Sequence, residues 1–118
     1  MNKIYYLSTC NTCKRIFSEA GIDDRFEMQD IKTEQITEEQ LAQMAQMAGS
    51  YEALFSRVAR KYKELNLKEK SLSEVDFKNF ILEEYTFLKR PVVIVENQIF
   101  IGNSKKNVEA LIQTVDII

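Results

Sequence analysis

Near its start the chain reads Lys3-Ile4-Tyr5-Tyr6-Leu7-Ser8-Thr9-Cys10-Asn11-Thr12-Cys13-Lys14-Arg15. Residues 3–8 are rich in aromatic and aliphatic side chains, which favour a β-strand. Residues 9–12 break that pattern, and a helix is predicted to begin among them and to run to Ala20, where Gly21 ends it. Residues 25–31 alternate polar and apolar side chains and are predicted as a second strand. The opening is therefore β-α-β, which implies two parallel strands joined by a right-handed crossover.

The middle of the chain is predicted to be helical. A first helix begins at a capping-box pattern formed by Thr37 and Gln40. A second helical stretch is predicted from Tyr51 to about Arg57, and one short helix within residues 58–66. A further helix begins at Ser73, and its predicted apolar side is formed by Val75, Phe77, Phe80 and Ile81.

The character of the sequence changes at Arg90-Pro91. Residues 92–95 form a continuous apolar run that is typical of a buried strand, and residues 98–101 are predicted to pair with it as a hairpin. Ser104 is predicted to cap a final helix. The order is then β-α-β, a helical block and β-β-α. This order predicts an α/β protein with a mixed sheet of about four strands flanked by helices.

Composition restricts the function further. The 118 residues fit a single domain, residues 1–118, and the net charge of −2 argues against direct nucleic-acid binding through a broad basic surface. No segment approaches the length of an apolar membrane span, and the start lacks the apolar stretch of a secretory signal, so we expect a cytoplasmic protein. The absence of histidine excludes Ser-His-Asp and Cys-His catalytic sites and histidine metal sites.

The pair Cys10 and Cys13 lies where the first strand meets the first helix. A helix N-terminus exposes unpaired N–H groups and the positive end of the helix dipole, so a thiolate there is stabilised and its pKa falls. Lys14 and Arg15 add positive charge in the same region. Cys10 is predicted to be the exposed nucleophile. Cys13, one turn into the helix, is predicted to attack a mixed disulfide formed on Cys10.

Three other interpretations of the cysteine pair were weighed. A structural zinc site needs four ligands, so two cysteines without histidine would require a second subunit. A structural disulfide across so short a loop removes little chain entropy. In the third interpretation Cys10 and Cys13 are unrelated buried side chains, and their C-x-x-C spacing has no functional role. A C-x-x-C pattern that opens a β-α-β unit favours redox or related thiol chemistry, with no bound metal.

The chain resembles the arsenate reductase-like family, which includes the Spx-type regulators, over nearly its whole length. The resemblance is carried, in the family's order, by residues 4–15, 30–34, 36–41, 62–67, 88–93 and 98–102. It implies a thioredoxin-like fold with a helical insertion, at about residues 37–88, between the β-α-β and β-β-α halves. It also implies that Pro91 is a cis-proline facing the active-site cysteine.

The resemblance also suggests binding residues. Arg90 matches an arginine that holds the oxyanion in arsenate-reducing members. Arg57 and Arg60 lie near a second such arginine without falling on its position, and Asn103 stands where a third would follow Gly102. Those members also usually lack a second cysteine at the position of Cys13, so the departures argue against arsenate. The predicted substrate-binding residues are Thr9, Asn11, Thr12, Lys14, Arg90 and Pro91.

Two classes of function follow from these observations. As an enzyme, the protein would attack a disulfide, an oxidised thiol or an oxyanion through Cys10, with weak or no arsenate reduction. Glutathione would serve as co-substrate without any bound cofactor, and a small thiol, a protein thiol or glutaredoxin would be the partner. As a Spx-type regulator, it would dock on RNA polymerase and use the cysteine pair as a redox switch. A true arsenate reductase is a third alternative. The acidic balance and the final helix, which lacks a basic tail, favour the enzyme.

Overall fold

The computed structural model describes residues 2–118, which form two compact units. The sheet unit combines Met1–Glu34 with Arg90–Ile118, and the helical unit is the continuous segment Gln35–Lys89. The strands are β1 (Asn2–Tyr6), β2 (Glu27–Asp30), β3 (Val92–Val95) and β4 (Gln98–Ile101). The helices are α1 (Asn11–Ala20), α2 (Glu38–Ala48), α3 (Arg60–Glu64), α4 (Glu74–Glu83) and α5 (Lys105–Asp116).

The four strands form one mixed sheet in the order β2-β1-β3-β4. β1 and β2 are parallel, whereas β3 runs antiparallel to both β1 and β4. The carboxyl ends of β1, β2 and β4 and the start of β3 therefore meet at one edge, which we call the carboxyl edge. This topology confirms the predicted α/β class with its mixed four-stranded, thioredoxin-like sheet.

The helices α1 and α5 contact each other and pack on the sheet. Their shared core consists of the buried residues Ile4, Ile16, Ala20, Phe26, Val93, Val95, Phe100, Val108, Leu111 and Val115. Since α1 follows β1 and α5 follows β4, both helices begin at the carboxyl edge. Gly21 ends α1 in a left-handed conformation (φ 70°), and its N–H donates to the carbonyls of Phe17 and Ser18.

The helical unit has an aromatic core of its own. Phe55 stacks on Phe87 with ring centroids 5.0 Å apart and contacts Phe77 at 4.9 Å. The backbone of Phe55 forms an antiparallel bridge with Leu88. Three short 3₁₀ turns connect the helices of this unit: Glu52–Leu54, Leu67–Glu69 and Tyr85–Phe87.

The predicted helix from Tyr51 to about Arg57 is wrong, because only Glu52–Leu54 form a 3₁₀ turn. The chain becomes extended at Phe55, where it pairs with Leu88 instead of continuing a helix. The short helix expected within residues 58–66 is present as α3.

The apolar side predicted for α4 is wrong at Val75, and the strand predicted at residues 25–31 is present as the shorter β2. Val75 is 64% exposed, because it lies about 200° around α4 from the buried Phe77. In β2, Met28 is 39% exposed whereas Gln29 is buried. The Gln29 side-chain amide donates to the Glu34 carbonyl at 3.1 Å, so this polar group has a hydrogen-bond partner although it is buried.

Candidate active site

Cys10 lies at the carboxyl edge between β1 and α1 and is the N-cap residue of α1. Its backbone is extended (φ −90°, ψ 110°), and its N–H donates to the Leu7 carbonyl at 3.0 Å. The Cys10 Sγ accepts a hydrogen bond from the N–H of Cys13 at 3.4 Å. Serine, threonine, aspartate and asparagine usually supply an oxygen for this bond. A sulfur in this place lies at the positive end of the α1 dipole, which favours its thiolate form.

The pKa of the Cys10 thiol is lowered from its ordinary value by several groups together. Partial burial acts in the opposite direction and would by itself raise this pKa. Hydrogen bonds from the backbone and thiol of Cys13 and the charge of Arg90 outweigh the burial. The backbone N–H of Thr12 adds to the same effect. Cys10 is thus prepared as a nucleophile by its surroundings.

Cys13 has the opposite character. Its side chain is fully buried, with 0% exposure. Burial, and then the hydrogen bond that its thiol makes to Cys10, raise the pKa of Cys13 to about 12. Both cysteines carry free thiols in the structure. The pair therefore combines a stabilised thiolate at Cys10 with a thiol at Cys13 that keeps its proton.

Arg90 and Pro91 join the site from the start of β3. The Arg90–Pro91 peptide bond is cis, as the resemblance implied. The carbonyl of Pro91 accepts a hydrogen bond from the Gly102 N–H at 2.9 Å, which links the start of β3 to the end of β4. The positive charge of Arg90 lowers the pKa of both cysteine thiols. The structure therefore brings together Cys10, Cys13 and Arg90, which are far apart in the sequence.

The remaining predicted residues of the loop differ in what they contribute. Thr9 and Asn11 are exposed beside Cys10, and Thr12 is partly buried. Lys14 was expected to lower the pKa of Cys10. Its side chain is exposed, and the charge found to act on this thiol is that of Arg90.

The other candidate anion-binding residues lie elsewhere in the chain. Arg57 belongs to the helical unit, where it pairs with Glu52 at 2.8 Å and lies over the rings of Phe55 and Phe77. Arg60 is exposed at the start of α3 in the same unit. Asn103 is exposed directly after Gly102 at the carboxyl edge of the sheet unit. The structure thus gives Arg57 partners within its own unit and leaves Asn103 at the edge that carries Cys10.

Ser8 and Asp30 were not foreseen from the sequence. Hydrogen bonds from the hydroxyl of Ser8 and from the backbone N–H groups of Lys32 and Ser8 hold the pKa of Asp30 below its ordinary value. Asp30 ends β2, the parallel neighbour of β1, so its contact with Ser8 joins the ends of these two strands. The parallel pairing implied by the β-α-β opening is the sequence signal that could have placed these two residues together.

Within residues 2–118, no group of three or more His, Cys, Asp or Glu side chains is arranged to hold a metal ion. None of the helices in this part of the chain combines the length and the apolarity that crossing a membrane requires.

Known proteins resemble the chain in sequence and in structure. The sequence model of the ArsC family matches residues 5–111. No curated protein sequence matches the chain. A Bacteroides fragilis protein related to the ArsC family is 23% identical, superposes with a TM-score of 0.75 and aligns over 93% of this chain and 96% of its own.

Two further solved structures show the same likeness. The arsenate reductase from Vibrio cholerae is 20% identical with a TM-score of 0.74, and 95% of each chain is covered. A Staphylococcus aureus COL protein, solved by NMR, is 26% identical with a TM-score of 0.71 and covers 93% of this chain and 97% of its own. These likenesses establish a common fold along nearly the whole length of the chain.

Proposed function

The chain belongs to the ArsC family, and from that premise we propose that it is a thiol–disulfide oxidoreductase. In this proposal Cys10 is the nucleophile and Cys13 is the resolving thiol. The observation that supports it is the cap of α1, where the Cys10 sulfur accepts the Cys13 N–H at 3.4 Å and has a lowered pKa. The lowered pKa increases the fraction of thiolate over that of an ordinary cysteine, and a thiolate is the reactive form of cysteine.

The first step is attack on a substrate disulfide. The Cys10 thiolate forms a bond to one sulfur, the substrate S–S bond breaks, and the other sulfur leaves with the electron pair as a thiolate. The charge of Arg90 and the N–H groups at the start of α1 stabilise thiolate charge at this position. The exposed residues Thr9 and Asn11 line the approach, and we assign them, with Thr12, Lys14 and Pro91, to substrate contact.

The second step is resolution by Cys13. In the reduced protein, the thiol of Cys13 is kept protonated by burial and by its interaction with Cys10. Once Cys10 is bound in a mixed disulfide, it no longer carries a negative charge, so that contribution to the high pKa of Cys13 disappears. Cys13 then loses its proton, attacks the Cys10 sulfur and expels the second half of the substrate as a thiol, leaving a Cys10–Cys13 disulfide. When this disulfide is reduced again, the donor thiolate attacks the accessible Cys10 sulfur, the S–S bond breaks, and Cys13 leaves and takes up a proton.

Two electrons must then return to the protein. We propose glutathione as the donor: two molecules reduce the Cys10–Cys13 disulfide and leave as glutathione disulfide. A glutaredoxin could carry the same electrons as a protein partner. This cycle requires no bound cofactor, and it suits the cytoplasm, where low-molecular-weight thiols keep cysteines reduced. RNA polymerase is a partner only under the alternative function below.

Arsenate is proposed to be a poor substrate. Arg90 offers one fork of donors, but Asn103 has no charge where an arginine would hold the oxyanion in the reducing members. Loss of one charge-assisted contact typically costs about 1.5–3 kcal/mol, or roughly one to two orders of magnitude in rate or affinity. Asn103→Arg should therefore raise any arsenate turnover.

The proposal is tested with the purified protein. Alkylation by iodoacetamide should follow a titration with a midpoint below 8.5, the ordinary value for cysteine. Mild oxidation should remove two hydrogens within one chain, as measured by mass spectrometry, and Cys13→Ser should abolish that product. Disulfide exchange should exceed arsenate reduction in the presence of glutathione and glutaredoxin. A midpoint at or above 8.5, or arsenate turnover as fast as disulfide turnover, would contradict the proposal.

One observation favours a second candidate function, a Spx-type regulator. The helical unit exposes large apolar side chains, with Val58 93% and Val75 64% accessible, and such residues can contact a protein partner. In this alternative the unit would dock on RNA polymerase and the cysteine pair would act as a redox switch. Binding to purified RNA polymerase that is lost in Val58→Asp and changes on oxidation would support the regulator. Absence of binding in both redox states would leave the enzyme.

A further inference from the structure

The charges of the sheet unit are segregated between the two ends of its strands. Six basic side chains lie at the carboxyl edge, in its loops and in the starts of its helices: Lys14, Arg15, Lys32, Arg90, Lys105 and Lys106. The acidic side chains there are Asp30, Glu34 and Glu109. The end that carries the cysteine pair is therefore positive.

The opposite end has the reverse balance. It carries five acidic side chains: Asp23, Asp24, Glu27, Glu96 and Asp116. Its basic side chains are Lys3 and Arg25. A hydrogen bond from Arg25 to the Ile118 carbonyl at 3.2 Å ties the end of α5 to this end of the sheet. A net charge of −2 for the whole chain thus conceals a sheet unit with a positive and a negative end.

Lys105 and Lys106 are the most informative part of this pattern. They occupy the first turn of α5, which has no acidic residue. Positive charges at a helix N-terminus oppose the helix dipole and destabilise the helix. Both side chains are exposed, and within residues 2–118 neither has an acidic partner within 4.0 Å. Neither lysine therefore has an ion pair in the described part of the chain that would offset the cost of its position.

Their location connects them to the site. Gly102, at the end of β4, donates to the carbonyl of Pro91 at 2.9 Å, and Pro91 follows the arginine whose charge acts on Cys10. α5 begins three residues after Gly102, and it packs beside α1, which Cys10 caps. The two lysines consequently share one edge with the nucleophile.

We propose that the substrate of Cys10 is an anionic disulfide, one that bears carboxylates near its sulfur atoms, and that Lys105 and Lys106 select it. This inference rests on the proposed thiol–disulfide function and specifies its substrate class. A positive edge around a reactive group concentrates anions and speeds their encounter. It also stabilises the anionic thiolate that leaves when Cys10 attacks the disulfide, whose S–S bond breaks as the Cys10–sulfur bond forms.

The test compares three small disulfides that differ in charge. The probes are dithiodipropionate, which is doubly negative, hydroxyethyl disulfide, which is neutral, and cystamine, which is doubly positive. Each rate with reduced protein is divided by the rate of a neutral small thiol, N-acetylcysteine amide, with the same probe, so that intrinsic reactivities cancel. We expect a normalised preference for dithiodipropionate over cystamine of about tenfold at low salt, which shrinks as salt screens the charges.

Two variants with the same change in net charge separate the local effect from a global one. Lys105→Gln/Lys106→Gln should slow the reaction with dithiodipropionate about three- to tenfold and leave hydroxyethyl disulfide within about twofold. Arg25→Glu, at the opposite end of the sheet unit, should leave both rates within about twofold. Thermal unfolding followed by circular dichroism verifies that both variants are folded.

The outcomes separate the two proposals. A reaction with the neutral probe but no preference among charges, or an equal effect of both variants, would overturn the anionic substrate and leave the thiol–disulfide function intact. A failure of Cys10 to react with all three probes would overturn both. A preference for cystamine would also overturn the anionic substrate, because basic side chains near Cys10 would repel a doubly positive disulfide.

Discussion

The longer helices of the two units, α2 and α4 in one and α1 and α5 in the other, begin in opposite ways. In the helical unit, α2 and α4 each begin with a complete capping box and with acidic residues in the first turn. In the sheet unit, α1 and α5 have no acidic residue in the first turn. Instead, α5 begins with Lys105 and Lys106, and α1 has Lys14 and Arg15 close to its start. The cap of α1 is a cysteine rather than an oxygen-bearing residue.

A helix N-terminus that is satisfied by its own side chains stabilises the fold, whereas one that is left uncompensated can act on a thiolate or a ligand. A capping box satisfies two backbone N–H groups, and acidic residues complement the positive end of the dipole, so α2 and α4 have little left to offer a ligand. The starts of α1 and α5 keep their positive end uncompensated by acidic side chains. At α1 that positive end acts on the Cys10 sulfur, whose pKa it helps to lower. The N-termini of α1 and α5 are thus less stabilised by their own side chains, and they lie at the edge that carries the reactive cysteine.

Replacing the sulfur cap should have the largest effect. Cys10→Ser should lower the disulfide exchange rate by more than about three orders of magnitude, since a hydroxyl is not ionised near neutral pH. The free energy of unfolding at pH 6 should stay within about 0.5 kcal/mol, because serine is a good N-cap. Exchange kinetics and urea unfolding measure the two quantities. Loss of stability together with activity would show that the sulfur is structural.

Removing a cap in the helical unit should do the reverse. Thr37→Ala breaks the capping box of α2, in which the Thr37 hydroxyl accepts from the Gln40 N–H at 3.0 Å. We expect the free energy of unfolding to fall by about 1 kcal/mol, measured by urea unfolding. The alkylation rate of Cys10 should remain within about twofold of the wild-type rate. A large change in that rate would mean that this cap also serves the chemistry.

Arg90→Gln tests how much of the Cys10 reactivity comes from charge. Without the arginine, the pKa of Cys10 should move back toward its ordinary value, and alkylation at pH 7 should slow by about three- to tenfold. Arg15→Gln is the matched control, because Arg15 is exposed and lies near Glu19 at 3.9 Å. An equal effect of both substitutions would point to net charge instead of the site.

The sign of the pH dependence follows from the lowered pKa. The Cys10 thiolate stabilises the folded state above the ordinary cysteine pKa of about 8.5, and this contribution is lost as the pH falls through the lowered folded-state value. Buried Cys13, with a pKa of about 12, opposes folding as the pH rises above that ordinary value. The unfolding free energy of wild type relative to Cys10→Ser should therefore increase between pH 6 and pH 9.

The smallest expected effect concerns the start of α5. Lys105→Glu/Lys106→Glu gives α5 the acidic first turn that α2 and α4 have. The free energy of unfolding should rise by about 0.3 kcal/mol for each position, because both side chains are exposed, as measured by urea unfolding at low salt. High salt should reduce the gain, since these side chains are exposed. A loss of stability would show that the lysines do support the fold.

The sequence was informative wherever a local pattern controls local structure. The apolar run at 92–95, the capping box at Thr37 and the cap at Ser104 each depend on neighbouring residues, and each appears as predicted. The helix expected after Tyr51 failed because a distant residue intervened: the bridge between Phe55 and Leu88 draws that segment into extended structure. Such long-range pairing overrides the local helix propensity of the segment.

The candidate site shows the same division. The positions of Cys10 and Cys13 at a helix start follow from a strand that is succeeded directly by a helix. The charge acting on Cys10 could not be assigned this way, because sequence proximity favoured Lys14 while the structure supplies Arg90 through β3. The contact of Asp30 with Ser8 likewise depends on the pairing of β2 with β1. Residues that come together only through strand pairing cannot be recognised as neighbours until the sheet topology is known.

Because the sheet unit consists of two separate segments of the chain, its strands are completed at different times during synthesis. β1 and β2 leave the ribosome early, but β3, the second neighbour of β1, starts only at Val92. At typical rates of elongation, several seconds separate the emergence of Asp30 from that of Arg90. Throughout this interval the nascent chain presents Cys10 without the cation that later acts on it. Cys10 therefore lacks one of the groups that lower its pKa until β3 has been made and has paired with β1.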